Sequence, residues 1–181
     1  MKDSYFVYMA LCLIGLGVRT TYEILKNNGE VDTKNRAIFI AVFVAMVLML
    51  ASWILMCPLD PWRIYYHIAV RIIGLALLIV GLGLAAGGFI QLRGLENIDH
   101  LVTNGLYSKI RHPMYTGFIL WIIGWLLFYG AVMSTIIGIV CVGNILYWSN
   151  LEEGQLANSY GETYLTYRKK TLFSEQGRGR L

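Results

Sequence analysis

Charged side chains are scarce in this chain of 181 residues. They make up 14% of it, against roughly 25% in a typical soluble domain. Hydrophobic residues make up 57%. A soluble globular domain is therefore a poor explanation of the composition, whereas helices that cross a bilayer explain both values.

Cysteine is also rare. Cys12, Cys57 and Cys141 lie in or beside apolar segments, without a CxxC pair and without a nearby histidine at ligand spacing. This pattern indicates neither a disulfide framework nor a zinc site, and we predict no metal. The three thiols are expected to pack as small hydrophobic side chains.

The excess of positive charge is small, with a net charge of +4, and the cations lie in short segments between apolar runs. Cations in such positions set the topology of a membrane protein or contact lipid headgroups, so nucleic acid is not an expected partner. The first and third connections and the C-terminal tail carry most of them. The positive-inside rule then predicts an N-terminus outside and a C-terminus in the cytoplasm.

The apolar runs predict an all-α integral membrane fold of about five transmembrane helices, with a C-terminal helical hairpin and a cytoplasmic interfacial tail helix. The predicted spans are Ser4 to about Leu25, Ala37–Met56, Ile64–Leu92, Met114–Phe128 and Ala131–Asn150. The fourth reaches only about 22 Å, so the hairpin has a short arm. We divide the chain into the three N-terminal spans, residues 1–92, and a loop, hairpin and C-terminal segment, residues 93–181.

The first and third spans each contain residues for which the sequence makes a specific prediction. Arg19 stands near the end of the first helix and is expected to snorkel to the membrane interface. Gly83 and Gly87 form a small-xxx-small pair on the third helix, which is predicted to let another helix come close.

A polar stretch, "GLYSKIRHPMYTG", precedes the fourth span. Asn104-Gly105 is a turn signal. Pro113 suits the first position of a helix, which puts His112 at the helix entrance, where free backbone N–H groups and Arg111 attract anions. A basic interface turn with tyrosine anchors is the alternative that these local features leave open.

A second polar stretch, "NLEEGQLANSYGETYLTYRKK", follows the last span. Glu152 and Glu153 are adjacent carboxylates at the end of an apolar helix, where they are costly if buried without partners; a solvated helix end is the alternative. Tyr160, Tyr164 and Tyr167 recur at helical spacing, which an interfacial amphipathic helix explains.

Together the two stretches resemble the membrane methyltransferase family that includes isoprenylcysteine carboxyl methyltransferases and phospholipid N-methyltransferases. The resemblance rests on "LVTNGLY…RHPMYTG", a helical hairpin and "LEE…L…YGETYLTY", from about Leu101 to Tyr167. It implies a site for S-adenosylmethionine at the cytoplasmic membrane face. The matching contact positions are His100, Leu101, Val102, Tyr107, His112, Pro113, Met114, Tyr115 and Glu152.

The chemistry of these residues agrees with such a cofactor. Arg111 and His112 at the helix entrance suit its carboxylate, and Glu152 can accept from its ammonium group or ribose hydroxyls. The resemblance implies a lipophilic or prenylated acceptor, first an isoprenylcysteine carboxylate, with N-methylation of a phosphatidylethanolamine-type lipid as the alternative. A carboxylate acceptor needs no base, whereas a protonated amine does, and His112 or Glu153 are the catalytic candidates for that role.

One position departs from the prenylcysteine enzymes. They carry an arginine that serves the substrate on the last hairpin helix, and Trp148 stands at that position here as the candidate substrate contact. Two other functions stay open. Membrane sterol-type reductases that bind NADPH use a related "RHP-x-Y-x-G" turn, although Met114 stands where they usually have asparagine. A non-catalytic membrane protein would bind neither nucleotide.

Overall fold

The computed structural model describes residues 2–32, 35–92 and 101–171. This part of the chain is helical apart from short connections. Its long helices are α1 (Lys2–Asn27), α2 (Arg36–Met56), α3 (Ile68–Leu92), α4 (Pro113–Tyr129) and α5 (Val132–Lys170). Short 3₁₀ turns cover Cys57–Leu59 and Gly105–Ser108. The predicted all-α fold is confirmed.

Four of these helices, α1, α2, α3 and α5, are long and apolar enough to cross a membrane. The remaining helix, α4, is shorter. It has 17 residues and is about 26 Å long, which confirms the short arm of the hairpin. Many large apolar side chains face outward, among them Ile40 at 58% exposure and Ile90 at 72%. Exposure on this scale fits contact with lipid acyl chains, and the protein is an integral membrane protein.

The five helices pass up and down, so the bundle has two ends. At one end, which we call the site end, α1 meets the middle of α5, where Trp148 Nε1 donates to Thr20 Oγ1 at 3.2 Å. The C-terminal end of α3 and the N-terminal end of α4 lie at this end too. The predicted division of the chain at residue 92 stays a prediction, although α3 and α4 pack closely across it.

At the opposite end of the bundle, Asp60 links the segment after α2 to the start of α5. Its carboxylate accepts from the Ser134 backbone N–H and hydroxyl, both at 2.7 Å, and so caps the start of α5. Gly130 turns the hairpin with a left-handed φ of 64°. Residues 60–67 stay outside any helix, because backbone hydrogen bonds from Ile64 N–H to Gly130 O and from Val132 N–H to Trp62 O hold this segment against the hairpin turn. The third helix therefore begins at Ile68, and its predicted start at Ile64 is wrong.

The last helix is longer than predicted. The helix continues past Asn150 to a break in helical geometry at Gly161, where φ is 50°, and a second helical segment follows and ends at Lys170. The predicted hydrophobic packing of cysteine is confirmed, since Cys12, Cys57 and Cys141 are all buried and free.

The close contact between α3 and α4 depends on glycine at seven-residue intervals, Gly74, Gly81 and Gly88 on α3 against Gly117 and Gly124 on α4. A Cβ at Gly81 would lie 2.6 Å from the Gly117 carbonyl oxygen and 2.6 Å from the Trp121 nitrogen. Gly83 and Gly87 do not pack against another helix in the described part of this chain, so the expectation of intramolecular packing at this pair is wrong. Among the described residues, a Cβ at Gly83 would have no neighbour within 4 Å, and one at Gly87 would meet the Leu106 side chain.

We expect Gly81→Ala to destabilise the protein by about 2 kcal/mol, because the added methyl group meets backbone atoms that move only if the two helices separate. Gly83→Ala is the matched control on the same helix. It should be neutral or stabilising by up to about 1 kcal/mol through helix propensity. Thermal unfolding of both variants in detergent measures the difference, and equal midpoints would contradict the assigned packing face.

Candidate functional site

The loop before α4 is held between the ends of α3 and α5. Gln91 Oε1 on α3 accepts from the Leu106 backbone N–H at 2.9 Å. The Tyr167 hydroxyl on α5 donates to the Tyr107 carbonyl at 2.7 Å. Gly105 turns the loop with φ of 59°, and a Cβ there would lie 2.3 Å from the Gln91 amide nitrogen. Glycine is therefore required at this turn, and the Asn104-Gly105 turn predicted from the sequence is confirmed.

His112 stands at the entrance of α4, as predicted. It is the N-cap residue, Pro113 follows at the first helical position, and the His112 carbonyl accepts from Thr116 N–H at 2.9 Å. Its side chain makes no capping bond to the helix. The imidazole is instead turned toward α5 and stacks on the Tyr115 ring at 5.6 Å between centroids.

The imidazole lies between the two adjacent carboxylates of α5. His112 Nδ1 lies 3.5 Å from Glu152 Oε2, and His112 Nε2 lies 3.4 Å from Glu153 Oε1. Glu153 also pairs with two arginines, with Arg111 Nη1 at 2.9 Å and with Arg168 Nε at 3.6 Å. The two polar stretches of the sequence thus meet in one ion cluster, which we call the His112 cluster.

The His112 imidazole carries a positive charge in this cluster. Burial by itself would lower its pKa, but hydrogen bonds and attraction from Glu152 and Glu153 outweigh burial and raise the pKa of His112 to about 9. Both ring nitrogens face carboxylate oxygens that only accept, which requires a proton on each nitrogen. At neutral pH the side chain is therefore an imidazolium, without a lone pair to take up a proton.

Beside this cluster lies a polar cavity, with an empty volume of about 400 Å³ that includes its open mouth. The cavity contains charges of both signs, with Arg111 and His112 opposite Glu152. Its walls are formed by Leu92, Leu101, Val102, Tyr107, Arg111, His112, Glu152, Leu156, Tyr164 and Tyr167. Such a cavity suits a ligand that carries both an anionic group and hydrogen-bond donors.

Six of the predicted contact positions line this cavity: Leu101, Val102, Tyr107, Arg111, His112 and Glu152. Pro113 is fully buried at the start of α4. Met114 and Tyr115 face a different cavity, described below. Glu153 belongs to the His112 cluster but does not line the polar cavity. His100 lies outside the described residues.

For two residues of the cavity wall, the structure differs from what the sequence predicts. Tyr164 and Tyr167 were attributed to an interfacial surface, but they are buried, at 1% and 9% exposure. That interpretation is therefore wrong for these two rings, because both line the polar cavity and Tyr167 bonds the loop before α4. Their spacing of three residues marks one helix face, which is the signal that could have identified a packing surface.

The second cavity is apolar and lies between α1, α2, α4 and α5, with an empty volume of about 670 Å³ that includes its open side. Met114 and Tyr115, which follow His112 in the chain, stand in its wall. The other wall residues are Cys12, Leu16, Arg19, Met46, Met49, Leu50, Trp53, Phe118, Trp121, Ile122, Cys141, Ile145 and Trp148. The two cavities are therefore adjacent at residues 112–115.

Trp148, the predicted substrate contact, lies in the wall of the apolar cavity with a buried ring. The guanidinium of Arg19 on α1 lies over this ring, 5.8 Å from its centroid. The expectation that Arg19 snorkels outward is wrong. Arg19 is 5% exposed and forms an ion pair with Glu23, which is 1% exposed.

Comparison with known proteins gives two matches. A family model described as phospholipid methyltransferase matches residues 70–163, just over half of the chain. A protein-S-isoprenylcysteine O-methyltransferase from Schizosaccharomyces pombe is 36% identical over 82 residues, which cover 41% of this chain and 33% of that protein. The match thus spans one third of the length of this relative. No solved structure is significantly similar to the chain.

Proposed function

The chain belongs to the phospholipid methyltransferase family, and from this premise we propose that it moves a methyl group from S-adenosylmethionine to an isoprenylcysteine carboxylate in the membrane. One observation carries the proposal: a polar cavity with charges of both signs adjoins an apolar cavity between the helices, and residues 112–115 stand where the two meet. A soluble donor and a membrane-embedded acceptor need these two environments side by side.

The residues of the polar cavity fit S-adenosylmethionine. When bound, this cofactor supplies a methyl carbon activated by the positive charge of its sulfur. Arg111 at the entrance of α4 would bind its carboxylate, and the positive charge of His112 would attract it without a direct hydrogen bond. Glu152, which retains a third of its exposure, would accept from its ammonium group or ribose hydroxyls. The rings of Tyr107, Tyr164 and Tyr167 offer apolar and cation–π surface to the rest.

The charge state of His112 supports a carboxylate acceptor. An imidazolium at neutral pH is a poor general base, and Glu153 is held by Arg111, His112 and Arg168. We therefore assign both residues to positioning rather than to proton transfer. Methylation of a carboxylate needs no proton acceptor, whereas methylation of a protonated amine does. Holding donor and acceptor in line, away from water, then supplies most of the catalysis.

The apolar cavity would hold the hydrocarbon chain of the acceptor. Its wall is almost entirely apolar and aromatic, and it extends from Met114 and Tyr115 toward Trp53 in the bundle interior. The similarity to an isoprenylcysteine O-methyltransferase favours a prenyl chain. The description of the matching family favours the second candidate, N-methylation of an aminophospholipid. The distribution of cations in the sequence supports a site that faces the cytoplasm.

Calorimetric titration of the purified protein in detergent with S-adenosylhomocysteine, and separately with NADPH, tests the proposed class. We expect S-adenosylhomocysteine to bind and NADPH not to bind. Binding of NADPH alone would instead support a sterol-type reductase, and binding of neither would support a non-catalytic protein. Methyl transfer to N-acetyl-S-farnesylcysteine, compared with transfer to phosphatidylethanolamine, then separates the two acceptor chemistries.

A further inference from the structure

The apolar cavity has a charge at the site end. Of the fifteen described residues that line it, Arg19 is the only charged one. Its side chain is held in place by aromatic rings, with the guanidinium 5.3 Å from the centroid of Tyr22 and 5.8 Å from that of Trp148. Ionisable residues inside membrane helices commonly mark substrate sites, and Arg19 stands in the cavity wall even though Glu23 already balances part of its charge.

The ion pair of Arg19 leaves room for an anionic ligand. Glu23 is shared between two cations, since Lys26 Nζ lies 2.9 Å from Glu23 Oε2 while Arg19 pairs with the other oxygen. Because Lys26 remains on Glu23, an anion that engages Arg19 from the cavity does not leave the glutamate without a partner.

The location of Arg19 matches the place where the acceptor must react. Trp148 and Tyr115 share the cavity wall with it, and the Tyr115 ring stacks on His112 of the polar cavity. Trp148 is fixed on its other side by a hydrogen bond from its indole N–H to Thr20. A chain that fills the apolar cavity would therefore present its polar end to Arg19, next to residues 112–115.

We propose that Arg19 binds the carboxylate of the methyl acceptor and selects anionic over cationic headgroups. This inference rests on the proposed function. The planar guanidinium offers paired N–H donors that match the two oxygens of a carboxylate. The same charge repels a protonated amine, so the discrimination has both an attractive and a repulsive component. In this proposal Arg19 of α1 supplies the cation for a carboxylate acceptor, and its guanidinium lies over the ring of Trp148 on α5.

The test compares Arg19→Gln, Arg19→Lys and Lys26→Gln with the unchanged protein in methyl transfer to N-acetyl-S-farnesylcysteine. Lys26→Gln is the matched control, because Lys26 bonds the same glutamate but does not line the cavity. We expect Arg19→Gln to raise KM about 30-fold, Arg19→Lys to restore part of that loss, and Lys26→Gln to leave KM near its original value. S-adenosylhomocysteine affinity, measured in parallel, should be unchanged in both Arg19 variants.

Binding of the carboxamide of N-acetyl-S-farnesylcysteine completes the test, since it has the same chain without the anion. We expect the unchanged protein to prefer the carboxylate and Arg19→Gln to lose that preference. An unchanged KM for Arg19→Gln, or an equal rise for Lys26→Gln, would overturn the role of Arg19 while leaving the proposed function intact. If the unchanged protein binds S-adenosylhomocysteine but does not methylate the farnesylcysteine, the proposed acceptor fails, and the inference fails with it.

Discussion

Glu152→Gln is expected to lower the affinity for S-adenosylhomocysteine about a hundredfold or more. The substitution keeps the size of the side chain but removes the carboxylate of the polar cavity. It therefore removes the charge-assisted hydrogen bonds proposed for the ammonium group or ribose hydroxyls of the cofactor. It also leaves His112 with one carboxylate in place of two, in a buried position where charge pairs are worth most. Calorimetric titration in detergent measures the loss.

His112→Ala should cause a loss of similar size, because the imidazolium holds both glutamates and faces the same cavity. Two matched controls separate this effect from general damage. Glu162→Gln makes the same change at an exposed position of α5, and His67→Ala removes an exposed histidine at the opposite end of the bundle. Both controls should bind normally, and helical content by circular dichroism should be unchanged throughout. Normal binding by Glu152→Gln and His112→Ala would show that the site is assigned wrongly.

Leu50→Trp is expected to lower kcat/KM for N-acetyl-S-geranylgeranylcysteine about a hundredfold. Leu50 lines the apolar cavity, and the larger indole would occupy space that the proposal gives to the prenyl chain. Burial of about three to four carbons of the prenyl chain is worth roughly 3 kcal/mol at about 0.8 kcal/mol per methylene. Excluding this part of the chain from the cavity therefore corresponds to a fall of about a hundredfold in kcat/KM. The loss should be smaller for the geranyl analogue, whose shorter chain needs less of the cavity.

Leu48→Trp is the control for this variant, since it makes the same substitution on the same helix at a side chain that is 50% exposed toward lipid. It should retain activity with every chain length. S-adenosylhomocysteine should bind both variants normally, because the polar cavity is lined by other residues. An equal loss for all chain lengths in Leu50→Trp would argue that the acceptor chain lies elsewhere.

Much of the fold followed from local sequence alone. Apolar runs of bilayer length, interrupted by turn signals, predict helices wherever they occur, because the backbone must satisfy its own hydrogen bonds in lipid. The short length of the fourth helix followed from the number of residues in the apolar run before Gly130. The helix entrance at His112 and Pro113 was also predictable, since a missing N–H and a fixed φ favour proline there. Helix ends were less accurate, as the start of α3 shows, because the hydrogen bonds that keep Ile64 outside the helix come from the distant Gly130 turn.

By itself, the sequence determined that this is a helical membrane protein with two polar stretches placed to meet at one end, and its motifs indicated a methyltransferase. Tertiary structure alone decided which residues face one another. Hydropathy and spacing do not say which neighbour a helix face meets, and for this reason Arg19 was expected at the interface, although it lies buried over Trp148. For the same reason Tyr164 and Tyr167 line a cavity, and a Cβ would collide with α4 at Gly81 but would meet no described neighbour at Gly83. These contacts join residues far apart in the chain, and only the packing of complete helices brings them together.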